Sequence, residues 1–171
     1  MCIRDRESID LNAMDLNDIP KRKPGLWIST TNNPQAKVKS EHCIDESSDA
    51  ELYKMGLNMS QQMDEICSKT TQDFKREGDK YITTSSCKMK QLMPNMPDMG
   101  TISTKSITEG DFNSKYTTTI TTKHSKKVYG AKDTTEVVTF VWSGKCKPGQ
   151  KPGDMKMTGP GGMNFSMDSL K

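Results

Sequence analysis

Residues Thr134 to Cys146, TTEVVTFVWSGKC, decide the fold class. Side chains alternate between the two faces of a strand, so Val137, Thr139 and Val141 fall on one side and Val138, Phe140 and Trp142 on the other. β-Branched and aromatic residues on both faces predict a strand in the middle of a sheet, covered on two sides. The run stops at Gly144, and Cys146 follows in a Gly/Pro/Lys segment. The segments around it are more polar and richer in threonine, as the outer strands of one sheet would be.

Upstream of this run, turn signals at Arg76–Asp79, Met93–Gly100, Glu109–Asp111 and Tyr129–Asp133 separate the Thr-rich segments Tyr81–Met89, Thr101–Thr108 and Ser114–His124. Tyr116–Thr122 is β-branched almost throughout, which favours strand over helix. The connections are too short for βαβ crossovers, so these strands should form an antiparallel meander. Nearer the N-terminus, Lys23-Pro24-Gly25 breaks the chain before a strand at Leu26–Thr31, and Asn32-Asn33-Pro34 marks a turn. Lys37–Ile44 alternates as a second strand, with Val38, Ser40, His42 and Ile44 on one face. Ser48-Asp49-Ala50-Glu51 is a capping-box pattern, and Leu52, Met55, Met59, Met63 and Ile66 follow at helical spacing. This predicts a short helix over 49–63, which Gly56 weakens by about 1 kcal/mol and can end early. The expected fold is mainly β: an antiparallel meander, either an open curved sheet or one partly closed into a barrel, with that one helix. Residues 23–157 form a single β-rich domain, 7–22 a spacer and 158–171 a flexible tail. From Lys147 onward, Gly and Pro are too frequent for regular structure.

A hydrophobic fraction of 32% allows only a thin core, so covalent support is expected. The net charge of +3 is ordinary. The basic clusters Lys21–Lys23 and Lys123–Lys127 lack interleaved aromatics and read as solvated surface, so nucleic acid is not an expected partner. No apolar run reaches the roughly 18 residues of a membrane span. The first six residues, MCIRDR, resemble a translated sequencing adapter, which would make the chain a truncated one whose signal peptide is lost. Without Cys2 the cysteine count falls from five to four, an even number, as in disulfide-stapled exported proteins.

Geometry selects among the three possible pairings. A hairpin centred on Glu77 sets Cys67 opposite Cys87, within disulfide reach at a non-hydrogen-bonded position. Cys43 and Cys146 remain, and closing so long a loop is worth about 4 kcal/mol in the chain-entropy model. A zinc site is disfavoured, because no two cysteines have C-x₂₋₄-C spacing and His42 and His124 are far apart.

In order along the chain, KPGLW (Lys23–Trp27), EHC (Glu41–Cys43) before an acidic helix start, a middle cysteine in a strand, EGDFNSKY (Glu109–Tyr116) and WSGKC with KPGDMKM (Trp142–Met157) make up a pattern. It resembles the domain of unknown function 3617 family of small exported bacterial proteins with four cysteines. That family opens its domain with PGLWE, where this chain has Ile28 in place of the Glu. The resemblance implies a β-rich fold and a periplasmic or cell-surface location. It implies no activity.

Catalytic residues are not expected. His42 and Cys43 are neighbours in a strand and point to opposite faces, and no Ser/His/Asp spacing, Walker loop or HExxH occurs. Glu109 and Asp111 flank a turn glycine and are read as solvated; hydrolysis is a distant alternative. Methionine is the unusual residue. Met89, Met93, Met96 and Met99 lie in KMKQLMPNMPDMG, where Pro94 and Pro97 should hold the chain near polyproline II and align Met93, Met96 and Met99 on one edge. Thioethers suit Cu(I), but an extended loop spreads the outer pair over about 18 Å, so three sulfurs meet only if the loop bends. Packing or partner contact is the plainer role. Trp27, Tyr81, Tyr116, Phe140 and Trp142 could line a concavity for a small apolar ligand or partner protein, though each serves more simply as core. The expected function is a non-enzymatic exported protein that binds a small molecule or protein, with copper handling as the alternative and no resident cofactor otherwise.

Overall fold

The structure, a computed structural model, describes residues 19–33, 38–61, 65–91, 93–159 and 164–165. Its strands are β1 (Gly25–Thr31), β2 (Lys39–Ile44), β3 (Cys67–Glu77), β4 (Lys80–Met89), β5 (Thr101–Asp111), β6 (Lys115–His124), β7 (Thr134–Trp142), β8 (Met155–Thr158) and β9 (Asn164–Phe165). A helix, α1 (Glu46–Gln61), joins β2 to β3, and a 3-10 turn at Val128–Gly130 precedes β7. The strands pair antiparallel in the order β3-β4-β5-β6-β7-β1-β2-β8-β9. The consecutive strands β3 to β7 are the expected meander, and the β1–β2 hairpin adds to the far side of β7. Among the described residues the end strands β3 and β9 do not meet, so the sheet is open rather than a barrel.

β7 stands fifth of nine strands, as its two-faced apolar pattern predicts. Its coverage, however, is one-sided. On the inner face Phe140 and Trp142 pack against a core of Trp27, Ile44 and Tyr116. On the outer face Val137 and Thr139 are only half-buried and Val141 is exposed. The described chain has one helix, and it runs from the end of β2 to the start of β3, across the inner side where Leu52 joins that core.

The helix begins one turn earlier than the Ser48 pattern predicts. Asp45 is the capping residue: its Oδ1 accepts the Ser48 N–H at 2.8 Å, while Ser48 Oγ accepts the Asp45 N–H at 2.9 Å. Ser48 thus takes the reciprocal role that Glu or Gln plays in a capping box, and hydrogen bonds from the Ser48 backbone N–H and then its hydroxyl hold the Asp45 carboxyl below its ordinary pKa. The helix continues through Gly56. Ile66, expected on its face, belongs instead to the approach to β3, where its carbonyl accepts the Lys90 N–H. Met63 and the side chain of Met59 lie outside the described residues.

Both expected disulfides are present, Cys43–Cys146 and Cys67–Cys87, with Cα–Cα distances of 5.4 and 5.3 Å. The register differs from the expected one. The β3–β4 turn is Gly78-Asp79, so Cys87 lies opposite Thr70 and Cys67 opposite Met89. An irregularity between Cys67 and Lys69 brings the two cysteines together diagonally. Cys43–Cys146 ties β2 to the segment after β7, where Gly153 N–H and Asp154 C=O also bond the Cys43 backbone. That anchorage corrects the expectation of an irregular C-terminal segment: Met155–Thr158 extends the sheet along β2 as β8. Its M-K-M-T alternation is obscured by the surrounding Gly and Pro. The first 18 residues and most of the expected tail lie outside the described residues. Ile19 is buried and Arg22 is bonded to the helix, so the end of the expected spacer belongs to the domain.

Two glycines separate packing from propensity. Gly25 adopts φ +131°, and a Cβ there would collide with the Gly144 carbonyl and the Trp142 indole nitrogen. Gly56 is helical and faces open space. Gly25→Ala should therefore destabilise the fold by about 3 kcal/mol or more, while Gly56→Ala should stabilise it by about 0.5–1 kcal/mol. Urea unfolding of the two variants checks both signs.

Candidate functional site on the inner face of the sheet

The inner face is built around a row of rings. Phe74, Tyr81, Phe112, Tyr116 and Phe140 follow one another at centroid distances of 6.3, 5.5, 4.9 and 4.5 Å, and His42 lies 6.0 Å from Phe140. Trp27 leans on Tyr116 at 5.3 Å and Tyr53 of α1 meets Phe74 edge-on. The five aromatics expected to line a concavity are thus brought together, but largely as packed core. Trp27, Tyr81 and Tyr116 are buried, and Phe140 and Trp142 are half-buried. Lys23 Nζ sits 3.7 Å over the Trp142 ring.

Above Tyr116 lies a buried ion pair that the sequence alone does not disclose. Arg22 Nε and Nη2 approach Asp49 Oδ1 at 2.7 and 2.6 Å, and the Arg22 backbone N–H donates to Asp49 Oδ2 at 3.0 Å. Arg22 Nη1 also donates to the Tyr116 hydroxyl at 3.3 Å. Burial pushes the Tyr116 phenol up to about 12. The only sequence signal is an arginine beside KPGLW and an aspartate in the first turn of a helix, and contacts between residues 27 positions apart are invisible to local patterns.

Beside the rings, Ser29, Ser40 and His42 form a polar knot. The two serine hydroxyls share a hydrogen bond, and His42 Nε2 lies 2.9 Å from Ser40 Oγ and 3.4 Å from Ser29 Oγ. The β1–β2 register sets it up: Ser29 is opposite Ser40, and His42 is two residues further on the same face. A serine bonded to a histidine suggests a nucleophile and its base, yet Ser29 and Ser40 are only 6% and 7% exposed. Packed between β1 and β2, the three side chains satisfy one another's buried polar groups. Burial, with repulsion from Arg22 behind it, lowers the His42 imidazole to about 4.

The remainder of the inner face carries hydroxyls, small apolar groups and one half-buried carboxylate, Glu136, directly opposite Ile120. Thr108, Thr118 and Val138 form one transverse row, and Thr83, Ser106 and Ile120 the next. All six are half-buried, and Thr108 and Thr118 share a 2.9 Å hydroxyl contact. Tyr53 of α1 bonds Thr83 at the border of this surface. Threonine methyls with Val138 and Ile120 present an apolar surface in which hydroxyls offer directional hydrogen bonds. Threonine enrichment was the available signal; which threonines share a face depends on the register.

The methionine segment departs from the extended conformation expected of it. The Met96 N–H donates to the Met93 carbonyl at 3.0 Å, and the Gln91 side-chain amide clasps the Pro94 and Met96 carbonyls. A turn therefore replaces polyproline II between Met93 and Met96. Met93 is 60% exposed, whereas Met89, Met96 and Met99 are half-buried. Among the described residues, no group of three or more His, Cys, Asp or Glu side chains forms a metal cluster.

His42 makes stability depend on pH. Its unfolded pKa is near 6.5 and its folded pKa about 4, so the unfolded chain takes up the proton first as pH falls. Its contribution is complete above pH 6.5 and is lost as pH falls to 4, by about 3 kcal/mol in total. Urea midpoints between pH 7 and 4.5 should fall, and His42→Gln should flatten that slope.

The family described as "Protein of unknown function (DUF3617)" matches residues 22–146. Comparison with curated proteins and with solved structures returned no match. The match starts at the arginine that clasps α1 and ends at the cysteine that staples β2, so it covers the packed core described above. The chain belongs to the DUF3617 family of proteins of unknown function.

Proposed function

We propose that the protein is a non-enzymatic binding module of an oxidising, extracytoplasmic compartment, and that it holds a small, mainly apolar ligand on the hydroxyl-bearing inner face. One observation carries this reading. The rows through Thr108 and Ile120 combine apolar surface with hydroxyls beside a rigid aromatic core, the mixture that ligand sites use to bury and orient a guest. The two disulfides support the compartment, since such bonds persist where thiols are not kept reduced. Among the described residues, no helix is long and apolar enough to cross a membrane.

Titration with the fluorescent apolar probe 1-anilinonaphthalene-8-sulfonate tests the site. Ile120→Glu, which sets a second carboxylate directly opposite Glu136 and in place of the apolar group beside Thr118 and Ser106, should weaken binding of the anionic probe at least about tenfold, equivalent to about 1.4 kcal/mol. Val141→Glu on the outer face should leave it unchanged. Equal binding by wild type and Ile120→Glu would remove the inner face from consideration.

Copper handling through Met89, Met93, Met96 and Met99 is the second reading. The observation that favours it is the Met93–Met96 turn, which shortens the spread an extended loop would impose on the thioethers. Competitive Cu(I) titration should show at least about a tenfold loss of affinity when Met93, Met96 and Met99 are all replaced by Leu, a volume-conserving change. An unchanged affinity ends this reading.

A further inference from the structure

Exposed apolar side chains are unevenly placed. Among the described residues the large ones are Ile66, Met93, Tyr129 and Val141, at 42%, 60%, 75% and 43% exposure. Val141 lies near the end of β7, but the other three gather at the opposite end of the sheet, where β3 and β5 begin and β4 and β6 end. Backbone and side-chain bonds tie these loops into one surface. The Lys90 N–H donates to the Ile66 carbonyl, Met89 N–H to Gly100, and Ser125 N–H to Thr101. Lys126 Nζ also pairs with Asp98 across the methionine loop and the β6–β7 loop.

The same end is basic. Lys88, Lys90, Lys123, Lys126, Lys127 and Lys132 are exposed there, against the carboxylates of Glu65, Asp98 and Asp133. Tyr129 adds a separate observation. It is a bulky residue held at φ 52°, in the left-handed region that favours glycine, and it projects into solvent. A glycine would fill that position without strain, so the aromatic ring sits there against local conformational preference.

We propose that this end of the sheet docks on an anionic phospholipid bilayer, with Ile66, Met93 and Tyr129 entering the headgroup layer and the surrounding lysines meeting lipid phosphates. Strands about 4.8 Å apart place the Ile66 and Tyr129 segments about 15 Å apart, too far for one small ligand to touch both and well suited to an extended surface. Protein interfaces deplete lysine around their apolar contacts, and a soluble polyanion has no use for exposed Ile and Met. Interfacial binding uses both: apolar tips that enter the acyl boundary, and long basic side chains that reach the anionic headgroups. This surface is separate from the inner-face site and from the aromatic core.

Sedimentation with vesicles of phosphatidylglycerol and phosphatidylcholine, against vesicles of phosphatidylcholine alone, tests the proposal. Binding should require phosphatidylglycerol and weaken in high salt, and each of Lys127→Gln and Lys132→Gln should weaken it by about fivefold. Tyr129→Gly combined with Met93→Ser should lower binding by about tenfold or more, although Gly at position 129 relieves backbone strain and should not lower the urea midpoint. Val141→Ser serves as the control and should bind as wild type. No binding to phosphatidylglycerol vesicles, binding indifferent to Tyr129 and Met93, or retention on soluble polyphosphate without vesicle binding would each overturn the proposal.

Discussion

Trp27 is the contact on which the rest of this structure depends. Its side chain is completely buried, its ring leans on Tyr116, and its indole N–H is satisfied by the Lys23 carbonyl four residues back at 2.8 Å. That bond requires the chain to fold back through Pro24 and Gly25. The same fold-back lets the Pro24 carbonyl accept the Trp142 indole N–H, and the Leu26 backbone pair with Ser143 and Gly144. One tight bend therefore anchors both tryptophans and joins β1 to the central strand. In a chain with so little apolar material, a large buried ring whose polar atom is paired supplies much of the available driving force.

The other recurrent motifs converge on this bend. Phe112 of EGDFNSKY accepts the Lys23 N–H and stands between Tyr81 and Tyr116. Gly110 adopts φ 131°, and a Cβ there would strike the Tyr116 backbone, so this position requires glycine. Glu41 of EHC meets Lys147 at 2.6 Å and Cys43 bonds Cys146, which holds the segment after WSGKC against the outer face of β1 and β2. KPGLW, EHC, EGDFNSKY and WSGKC are thus fastenings at one end of the sheet, while Cys67–Cys87 staples β3 to β4 at the other. They account for the fold, and fastenings of this kind carry no chemistry with them.

Two kinds of surface remain beyond those fastenings. The hydroxyl-bearing rows of the inner face are rigid, since they lie on strands paired on both sides. The opposite end of the sheet is loop-built, basic and studded with apolar tips. The proposed binding role would use such a division: a rigid face can hold a guest, while loops adapt to a larger surface without disturbing the core.

The alternation in TTEVVTFVW, the threonine runs and the spacing of turn residues were enough to determine an antiparallel sheet with β7 at its centre, because strand faces follow from a two-residue period. Hairpin geometry likewise determined the cysteine partners, although not the diagonal way in which Cys67 meets Cys87. What the tertiary structure alone decided depends on contacts between distant segments. Arg22 finding Asp49, Ser29 facing Ser40 and His42, and Met155–Thr158 becoming a strand only because β2 offers its edge are of this kind. The turn at Met93–Met96 is held by the Gln91 side chain, a bond that overrides the extended preference of the flanking prolines. Local preference is written in neighbouring residues; which residues share a face, and which end of the sheet stays open to solvent, emerge only when the register brings distant segments together.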